Sequence, residues 1–189
     1  MFPVFKIFEN LFRVPAGPKC PECQSLFVNA DCPNMDCPQK VADWIIRWCS
    51  PDGMNIPAID ESTAKRLAKL HWVIHPGELY ELSPSDWLQV DGLSEQGRDD
   101  IMQQLEESKN ASPSSLIYGF RITGVDSRLA KRLVEAFENC SMLREVKPDK
   151  LTSVEGVDAR VATAVRQWFK DSFNKKMLKM LERNGFRFN

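Results

Sequence analysis

A short phrase returns along this chain at a fixed interval, and it limits the possible fold more than any other feature. The phrase is a glycine, a bulky apolar residue and a small polar residue, followed by a run with helical periodicity. It occurs at Gly92-Leu93-Ser94, Gly124-Val125-Asp126 and Gly156-Val157-Asp158, at intervals of 32 residues. A weaker copy without the glycine, Ala58-Ile59-Asp60, lies 34 residues before Gly92. A repeat of this period predicts an array of similar supersecondary units.

Each copy contains the parts of a helix-hairpin-helix. One helix ends, glycine turns the chain at positive φ, and a second helix begins with unpaired amides directed outward. In the last copy, Leu151 and Val154 close a short helix, and Asp158 is placed to cap the next one. Such a helix N-terminus attracts phosphate groups. Hairpins that only pack together also turn at glycine, but four copies in register favour DNA binding.

The net charge of −1 conceals a separation of charge along the chain. Residues 54–111 contain 5 Lys and Arg against 11 Asp and Glu, whereas residues 112–189 contain 15 against 9. Phosphate affinity comes largely from displaced counterions, so we expect the C-terminal half to provide most of any nucleic-acid affinity. The alternative, a merely solvated helical surface, explains a balanced surface better than this polarised one.

Four of the six cysteines form two closely spaced pairs near the N-terminus. Two residues separate the members of the first pair and four separate those of the second, so the candidate ligands are Cys20, Cys23, Cys32 and Cys37. Two such pairs on tight turns predict a tetrahedral site, and four protein ligands leave no position for water. We interpret it as a structural Zn²⁺ site. Two disulfides are the alternative, which an intracellular chain disfavours.

Two further features concern the location of the chain and its N-terminus. No apolar run reaches the roughly 18 residues that a membrane span needs, and no signal segment is recognisable, so we expect a soluble, cytoplasmic protein. Residues 2–14 alternate loosely and are rich in Phe, Val and Ile, which favours a β-strand. This strand either packs on the cysteine module or, as we prefer, ends a sheet whose remainder is absent.

Together these patterns predict a mainly α fold, a tandem helix-hairpin-helix array preceded by a small four-cysteine zinc module and one leading β-strand. We divide the chain into a leading strand (residues 1–18), a zinc finger with a short helix (residues 19–53), hairpin units 1 and 2 (residues 54–111) and units 3 and 4 (residues 112–189). The polar, proline-bearing joint at residues 110–115 sets the boundary inside the array.

Several longer phrases carry a resemblance to a known family. They are CPNMDCPQ, GELYELSPSDW, YGFRITG and SVEGVDARVATAVRQWF, the last followed by Asn174 and Leu178. In this order they resemble the zinc finger and four-hairpin domain of bacterial NAD-dependent DNA ligases, and residues 2–14 resemble the end of that family's oligonucleotide-binding barrel. The resemblance implies a module of DNA repair and replication that grips the minor groove of duplex or nicked DNA. An adenylation-domain protein is the second partner it implies.

The chain also departs from that family. The ligase chemistry needs a Lys-x-Asp-Gly motif, but Ser50 stands where the lysine before Asp52-Gly53 would be. We therefore expect no catalytic residue, no bound NAD, no autonomous activity and no BRCT domain. Three turns carry aspartate where a phosphate-binding hairpin usually has glycine. A carboxylate repels phosphate, so contact is weakened unless each aspartate caps the following helix.

Only Gly124 and Gly156 combine the turn glycine with a basic surround, so we predict DNA contacts there. The candidate residues are Arg121, Gly124, Val125, Arg128, Lys131, Gly156, Val157 and Arg160. The leading hypothesis is non-sequence-specific duplex DNA binding by a zinc-stabilised clamp. The alternatives are the tail of a split or truncated ligase that needs a separate adenylation domain, and a degenerate array used as a protein-interaction scaffold.

Overall fold

The computed structural model describes residues 17–188, so the predicted leading strand at residues 2–14 lies outside the described part of the chain. The described residues form ten α-helices and one 3-10 helix. In the same part of the chain, β structure is limited to isolated antiparallel bridges, Lys19 with Leu26 and Val28 with Asp31. The predicted mainly α fold is confirmed.

The helices follow one another through short connections. They are α1 (Pro38–Cys49), α2 (Glu61–Leu70), the 3-10 helix (Pro76–Tyr80), α3 (Pro84–Trp87), α4 (Glu95–Ser108), α5 (Pro113–Gly119), α6 (Ser127–Phe137), α7 (Cys140–Glu145), α8 (Pro148–Leu151), α9 (Ala159–Lys170) and α10 (Ser172–Arg183). Five of these helices begin with proline, whose missing N–H would have no acceptor inside the helix at that position. None of the described helices has the length and apolar character that a membrane span requires.

The four repeats fold as four turns, and each turn is closed by an equivalent backbone hydrogen bond. We name them turn 1 (residues 56–59), turn 2 (residues 90–93), turn 3 (residues 122–125) and turn 4 (residues 154–157). In each, the N–H of the fourth residue donates to the carbonyl of the first, at 3.0 to 3.1 Å. The glycine at the third position of turns 2, 3 and 4 has φ of +76°, +81° and +90°, as a type II turn requires. Turn 1 has Ala58 there, without positive φ.

The residue directly after each turn caps the helix that follows. Asp60, Ser94, Asp126 and Asp158 each accept a hydrogen bond from the backbone N–H three residues on, at 2.7, 3.1, 2.7 and 2.8 Å. Each side chain thereby satisfies one of the donors that a helix start leaves unpaired. The aspartates in the repeat are therefore helix caps, the alternative that the sequence had left open.

Turn 1 packs against α4, the helix that follows turn 2, and turn 2 packs against α2, the helix that follows turn 1. In turn 1, the Ala58 N–H donates to Gln104 Oε1 of α4 at 2.8 Å. In turn 2, Arg66 of α2 lies over Gly92, with its Nη1 2.8 Å from the position that a Cβ would occupy. The third-position amide of turn 1 is therefore used inside the protein, whereas Gly92 of turn 2 remains exposed beside Arg66.

Turns 3 and 4 pack in the same manner. Val161 of α9 lies over Gly124, with its Cγ2 2.7 Å from the position of an added Cβ, and Arg132 of α6 lies beside Gly156 at 3.3 Å from the equivalent position. Arg66 and Arg132 both stand eight residues after the third position of the preceding turn. The array therefore consists of two pairs of units built on one plan.

A single hydrophobic core connects α1 with the hairpin array. Its buried members extend from Val41 to Phe188. The Trp48 ring of α1 stacks on Phe120 with 6.4 Å between centroids, and Phe120 stacks on Trp168 of α9 at 4.5 Å. Aromatic rings bury large areas, so this column contributes strongly to the core and holds α1 against the end of α5. The four cysteines form a separate, smaller buried cluster.

Candidate metal centre and nucleic-acid interface

The four predicted ligand cysteines converge in space. All four Sγ atoms lie within 4.8 Å of one another, with Cys20 and Cys37 at 3.7 Å and Cys23 and Cys32 at 3.4 Å. A tetrahedral zinc thiolate site with bonds of about 2.3 Å needs sulfur separations of about 3.8 Å. These separations are much longer than the roughly 2.05 Å of a disulfide bond. The arrangement is a possible metal site with four sulfur donors.

A local turn places the third candidate ligand, Cys32. Asn29 and Ala30 both have positive φ, 52° and 65°, and the flanking Val28 and Asp31 exchange two backbone hydrogen bonds of 2.8 and 3.0 Å. This two-residue hairpin turns the chain directly before Cys32. The fourth ligand is the N-cap residue of α1, so the cluster also sets where that helix begins.

The thiols of the cluster differ in pKa. Hydrogen bonds from the Ser25 hydroxyl and backbone amide lower the pKa of the Cys23 thiol to about 6, which favours the thiolate that a metal binds. Burial raises the pKa of the Cys32 thiol to about 12 and also raises that of the Cys37 thiol. The other two cysteines lie apart from these four. Cys49 and Cys140 are buried outside the cluster, and burial raises the pKa of the Cys140 thiol to about 12. Neither belongs to a group of potential ligands among the described residues.

Turn 3 presents unpaired backbone donors to solvent. Gly124 and Asp126 are exposed, and within the described part of the chain their backbone N–H groups have no hydrogen-bond acceptor. The Val125 side chain is buried, and its N–H donates to Ile122 inside the turn. Of the predicted residues here, Val125 therefore anchors the turn, whereas Gly124 faces outward.

The basic residues predicted around turn 3 fall into two groups. Arg128 and Lys131 are exposed on α6. Arg121 is half-buried: its Nη1 donates to the Lys40 carbonyl at 2.8 Å, and its guanidinium lies 4.9 Å from the ring centroid of Trp44. Arg121 is thus fixed against α1, and it is the residue directly before turn 3.

A further arginine beside turn 3 was not predicted. Arg47 of α1 donates from Nη2 to the Val125 carbonyl at 2.5 Å and from Nε to the Tyr118 carbonyl at 2.8 Å. Its guanidinium also lies 4.0 Å over the Tyr118 ring. Arg47 precedes the turn by more than 70 residues, so local sequence contains no signal for this contact.

These groups enclose a concavity of about 440 Å³ at the surface. Its lining residues are Arg47, Arg121, Ile122, Thr123, Gly124, Val125 and Asp126. Two arginines and one aspartate therefore line the same space, beside the exposed Gly124. Since guanidinium and backbone N–H groups are both donors to anions, this concavity is suited to a phosphate-sized anion.

Turn 4 has the same backbone geometry but different charges. Gly156 and Arg160 are exposed, and the buried Val157 donates its N–H to the Val154 carbonyl. The concavity of about 380 Å³ beside this turn is lined by Arg132, Glu135, Ala136, Ser153, Val154 and Glu155. Arg132 is held by the Glu155 carbonyl at 3.2 Å and by its carboxylate at 3.4 Å. Two carboxyl groups thus face one guanidinium, a weaker setting for an anion than turn 3.

Comparison with known proteins agrees with this geometry. The helix-hairpin-helix motif matches residues 115–178, which include turns 3 and 4. The chain is 28% identical over 183 residues to a DNA ligase of Bacillus velezensis, covering 94% of this chain and 27% of the ligase. It is 30% identical over 186 residues to a DNA ligase of Rubrobacter xylanophilus, covering 95% and 27%. A DNA ligase of Aquifex aeolicus is 30% identical over 172 residues, covering 88% and 24%.

The chain thus spans about a quarter of the length of the ligases it matches. The repeat, the cysteine cluster and these comparisons point the same way, and the resemblance found in the sequence is confirmed. This chain carries the helix-hairpin-helix motif and is homologous to the C-terminal part of the bacterial DNA ligases.

Proposed function

We propose that this chain binds duplex DNA through its backbone, without reading base sequence, as a helix-hairpin-helix clamp with a structural zinc site. The observation that carries the proposal is turn 3, where exposed backbone donors stand beside the cations of α6 and two fixed arginines. Homology to a region of DNA ligases and the helix-hairpin-helix motif support DNA binding in a ligase-like setting.

In this proposal the two pairs of hairpins have different roles. Units 3 and 4, in residues 112–188, provide the phosphate contacts through Gly124 and Gly156, with Arg128, Lys131 and Arg160 adding charge. Units 1 and 2, in residues 54–111, are acidic and serve mainly to complete the core. Two turns that contact about two to four phosphates predict a slope of roughly −2 to −3.5 for log affinity against log salt.

The cysteine cluster supports the clamp indirectly. A bound Zn²⁺ would offset half of the negative charge of the four thiolates and contribute folding free energy, on the order of 10 kcal/mol in small zinc modules. Cys37 occupies the N-cap position of α1, so the ligand set would hold the start of the helix that carries Arg47. We therefore propose Cys20, Cys23, Cys32 and Cys37 as zinc ligands with a structural role.

The decisive experiment reverses charge at both turns. In Arg128→Glu/Arg160→Glu, each carboxylate would face the backbone phosphates, so we expect duplex affinity to fall at least tenfold at low salt. Lys65→Glu/Lys69→Glu is the control, since it makes the same double charge reversal on exposed α2 in the acidic half. Fluorescence anisotropy with a labelled duplex measures both. Equal affinity of the double variant and the control would refute the proposal.

A second candidate function follows from the homology to DNA ligases over most of the chain. The chain would act as the DNA-holding part of a nick-sealing reaction whose nucleophile lies on an adenylation domain. Nick closure by a ligase adenylation fragment, with and without this chain, tests it. Stimulation that Arg128→Glu/Arg160→Glu abolishes would support this role, whereas DNA binding without stimulation leaves the first proposal alone.

A further inference from the structure

We propose that Arg47 of α1, together with Arg121, completes a phosphate site at turn 3 that accepts one phosphodiester of the DNA backbone. This inference rests on the proposed DNA binding and deepens it. It assigns a DNA contact to the helix that starts at the cysteine cluster, outside the hairpin array. It also makes turn 3, rather than turn 4, the principal contact.

Arg47 is held in place before any ligand arrives. Its guanidinium is fixed by two backbone carbonyls and by the Tyr118 ring beneath it. A guanidinium has five N–H donors, and these two hydrogen bonds leave others for the concavity that Arg47 lines. A fixed arginine loses little side-chain entropy when it binds an anion, so its contribution is larger than that of a mobile surface lysine.

Arg121 is also held in place, by its contacts with Lys40 and Trp44 of α1. Its backbone has φ of +54°, a left-handed conformation that usually favours glycine at the end of a helix. An arginine there is disfavoured by roughly 1 kcal/mol or more, and the contacts of its side chain offset this cost. The Arg121 guanidinium contacts Lys40 and Trp44, and Arg121 is one of the residues that line the same concavity as Arg47.

The charged residues and the free amide of turn 3 distinguish it from turns 1 and 4. Asp126 is the single carboxylate that lines the turn 3 concavity, and its Oδ1 is engaged by the Leu129 N–H at 2.7 Å. Two arginines and one capped aspartate therefore line this concavity, while Asp43 and Asp31 also act on the charge of Arg121. At turn 4 one guanidinium faces two carboxyl groups, and in turn 1 the Ala58 N–H is already bonded to Gln104.

The test substitutes Arg47→Gln, which removes the charge but leaves a side chain able to donate to a carbonyl. We expect duplex affinity to fall about tenfold and the salt slope to become shallower by about 0.9, the value for one lost phosphate contact. Arg98→Gln, a half-buried arginine of α4 in the acidic half, is the matched control and should change affinity by less than twofold. Arg47→Lys should recover part of the affinity because the charge returns without the planar fork.

The outcomes separate this inference from the proposed function. Failure of the unsubstituted chain to bind DNA rejects the proposed function. DNA binding by the unsubstituted chain, with equal affinity and salt slope in Arg47→Gln and Arg98→Gln, overturns the Arg47 assignment alone. Thermal melts show whether Arg47→Gln remains folded.

A measurement on the unsubstituted chain covers the case in which Arg47→Gln does not fold. The guanidinium NMR signals of Arg47 and the amide signal of Gly124 should shift on titration with a short duplex. Inorganic phosphate serves as a second titrant. A shift with phosphate alone identifies a site for any phosphate dianion, and a shift with DNA only identifies a site for the polymer. Shifts at Arg128 without any at Arg47 would contradict the proposal.

Discussion

At the scale of single residues, the two histidines of this chain differ in environment. His71 is exposed, whereas His75 is buried, and its Nδ1 has no hydrogen-bond partner in the described structure. The His75 ring meets the Phe173 ring edge-on at 5.2 Å, and its Nε2 lies 3.9 Å from Glu78. Burial lowers the pKa of His75 below its ordinary value, and the charge of Glu78 opposes this only in part.

This environment predicts a pH dependence of stability. Because the folded pKa of His75 lies below the unfolded value of about 6.5, the unfolded chain binds more protons in the interval between them. The contribution of His75 is therefore complete above about pH 6.5 and is lost on acidification, by at most about 1.4 kcal/mol per pH unit. His75→Leu should flatten the change in unfolding free energy between pH 7.5 and 5.5, measured by urea titration. His71→Leu should retain it, and equal slopes in both variants would show that His75 is not the group responsible.

A second residue-scale prediction concerns the turn glycines. Gly124→Ala should destabilise the fold by about 1 to 2 kcal/mol for its positive φ, and further because the new Cβ would meet Val161. Gly156→Ala has the same φ strain but a neighbour that can move, the Arg132 guanidinium, so its melting temperature should fall less. Gly17→Ala meets no atom within 4 Å and should be neutral in the same thermal melts. A smaller loss at Gly124 than at Gly156 would count against this explanation.

At the scale of elements, the residue between each turn and the following helix affects both the stability of the fold and the charge beside the turn. The repeat places a capping residue directly after each turn, and in turn 3 this residue also faces the proposed phosphate site. Asparagine caps a helix about as well as aspartate but has no charge. The two roles of Asp126 can therefore be separated by substitution.

Asp126→Asn should leave unfolding free energy nearly unchanged and strengthen duplex binding severalfold, since a carboxylate no longer repels the phosphate. Asp126→Ala should cost about 1 kcal/mol of stability through loss of the cap. Urea titration and anisotropy measure the two effects. Asp60→Asn is the control, since turn 1 uses its amide on Gln104 and should gain no DNA affinity. An equal gain in both variants would mean that only net charge matters.

At the scale of the whole molecule, α1 joins the cysteine cluster to turn 3. Its first residue follows the ligand Cys37, and further along it the Trp44 indole donates to the Gly119 carbonyl at 2.9 Å. Arg47 reaches turn 3, and Arg121 reaches back to Lys40. Arg47 of α1 contacts turn 3, and Arg121 beside turn 3 contacts α1, so an ordered α1 holds the turn in position.

Metal removal should therefore affect distant residues. We expect one zinc per chain by elemental analysis, and we expect Cys32→Ser to lower that content and to increase amide hydrogen exchange both in α1 and in turn 3. Duplex affinity should fall severalfold in parallel. Cys140→Ala, a buried thiol outside the cluster, should keep the metal and the affinity. Full metal content in Cys32→Ser would contradict the ligand assignment.

The sequence by itself determined the features that depend on neighbouring residues. The glycines at positive φ, the caps at Asp126 and Asp158 and the four convergent cysteines were all predictable, because each follows from local backbone preference or ligand spacing. The homology to DNA ligases could be predicted from the order of short sequence phrases along the chain.

Only the tertiary structure decided which turn is open and which charges surround it. Arg47 lies beside turn 3, Gln104 occupies the amide of turn 1, and Glu135 lines the concavity at turn 4. Arg121 is held against α1 through Lys40. The contacts at turns 1 and 3 join residues more than 40 positions apart, and at turn 4 the outcome depends on how one unit packs on its partner. Packing of one helix on another sets these contacts, and no spacing within a repeat encodes them.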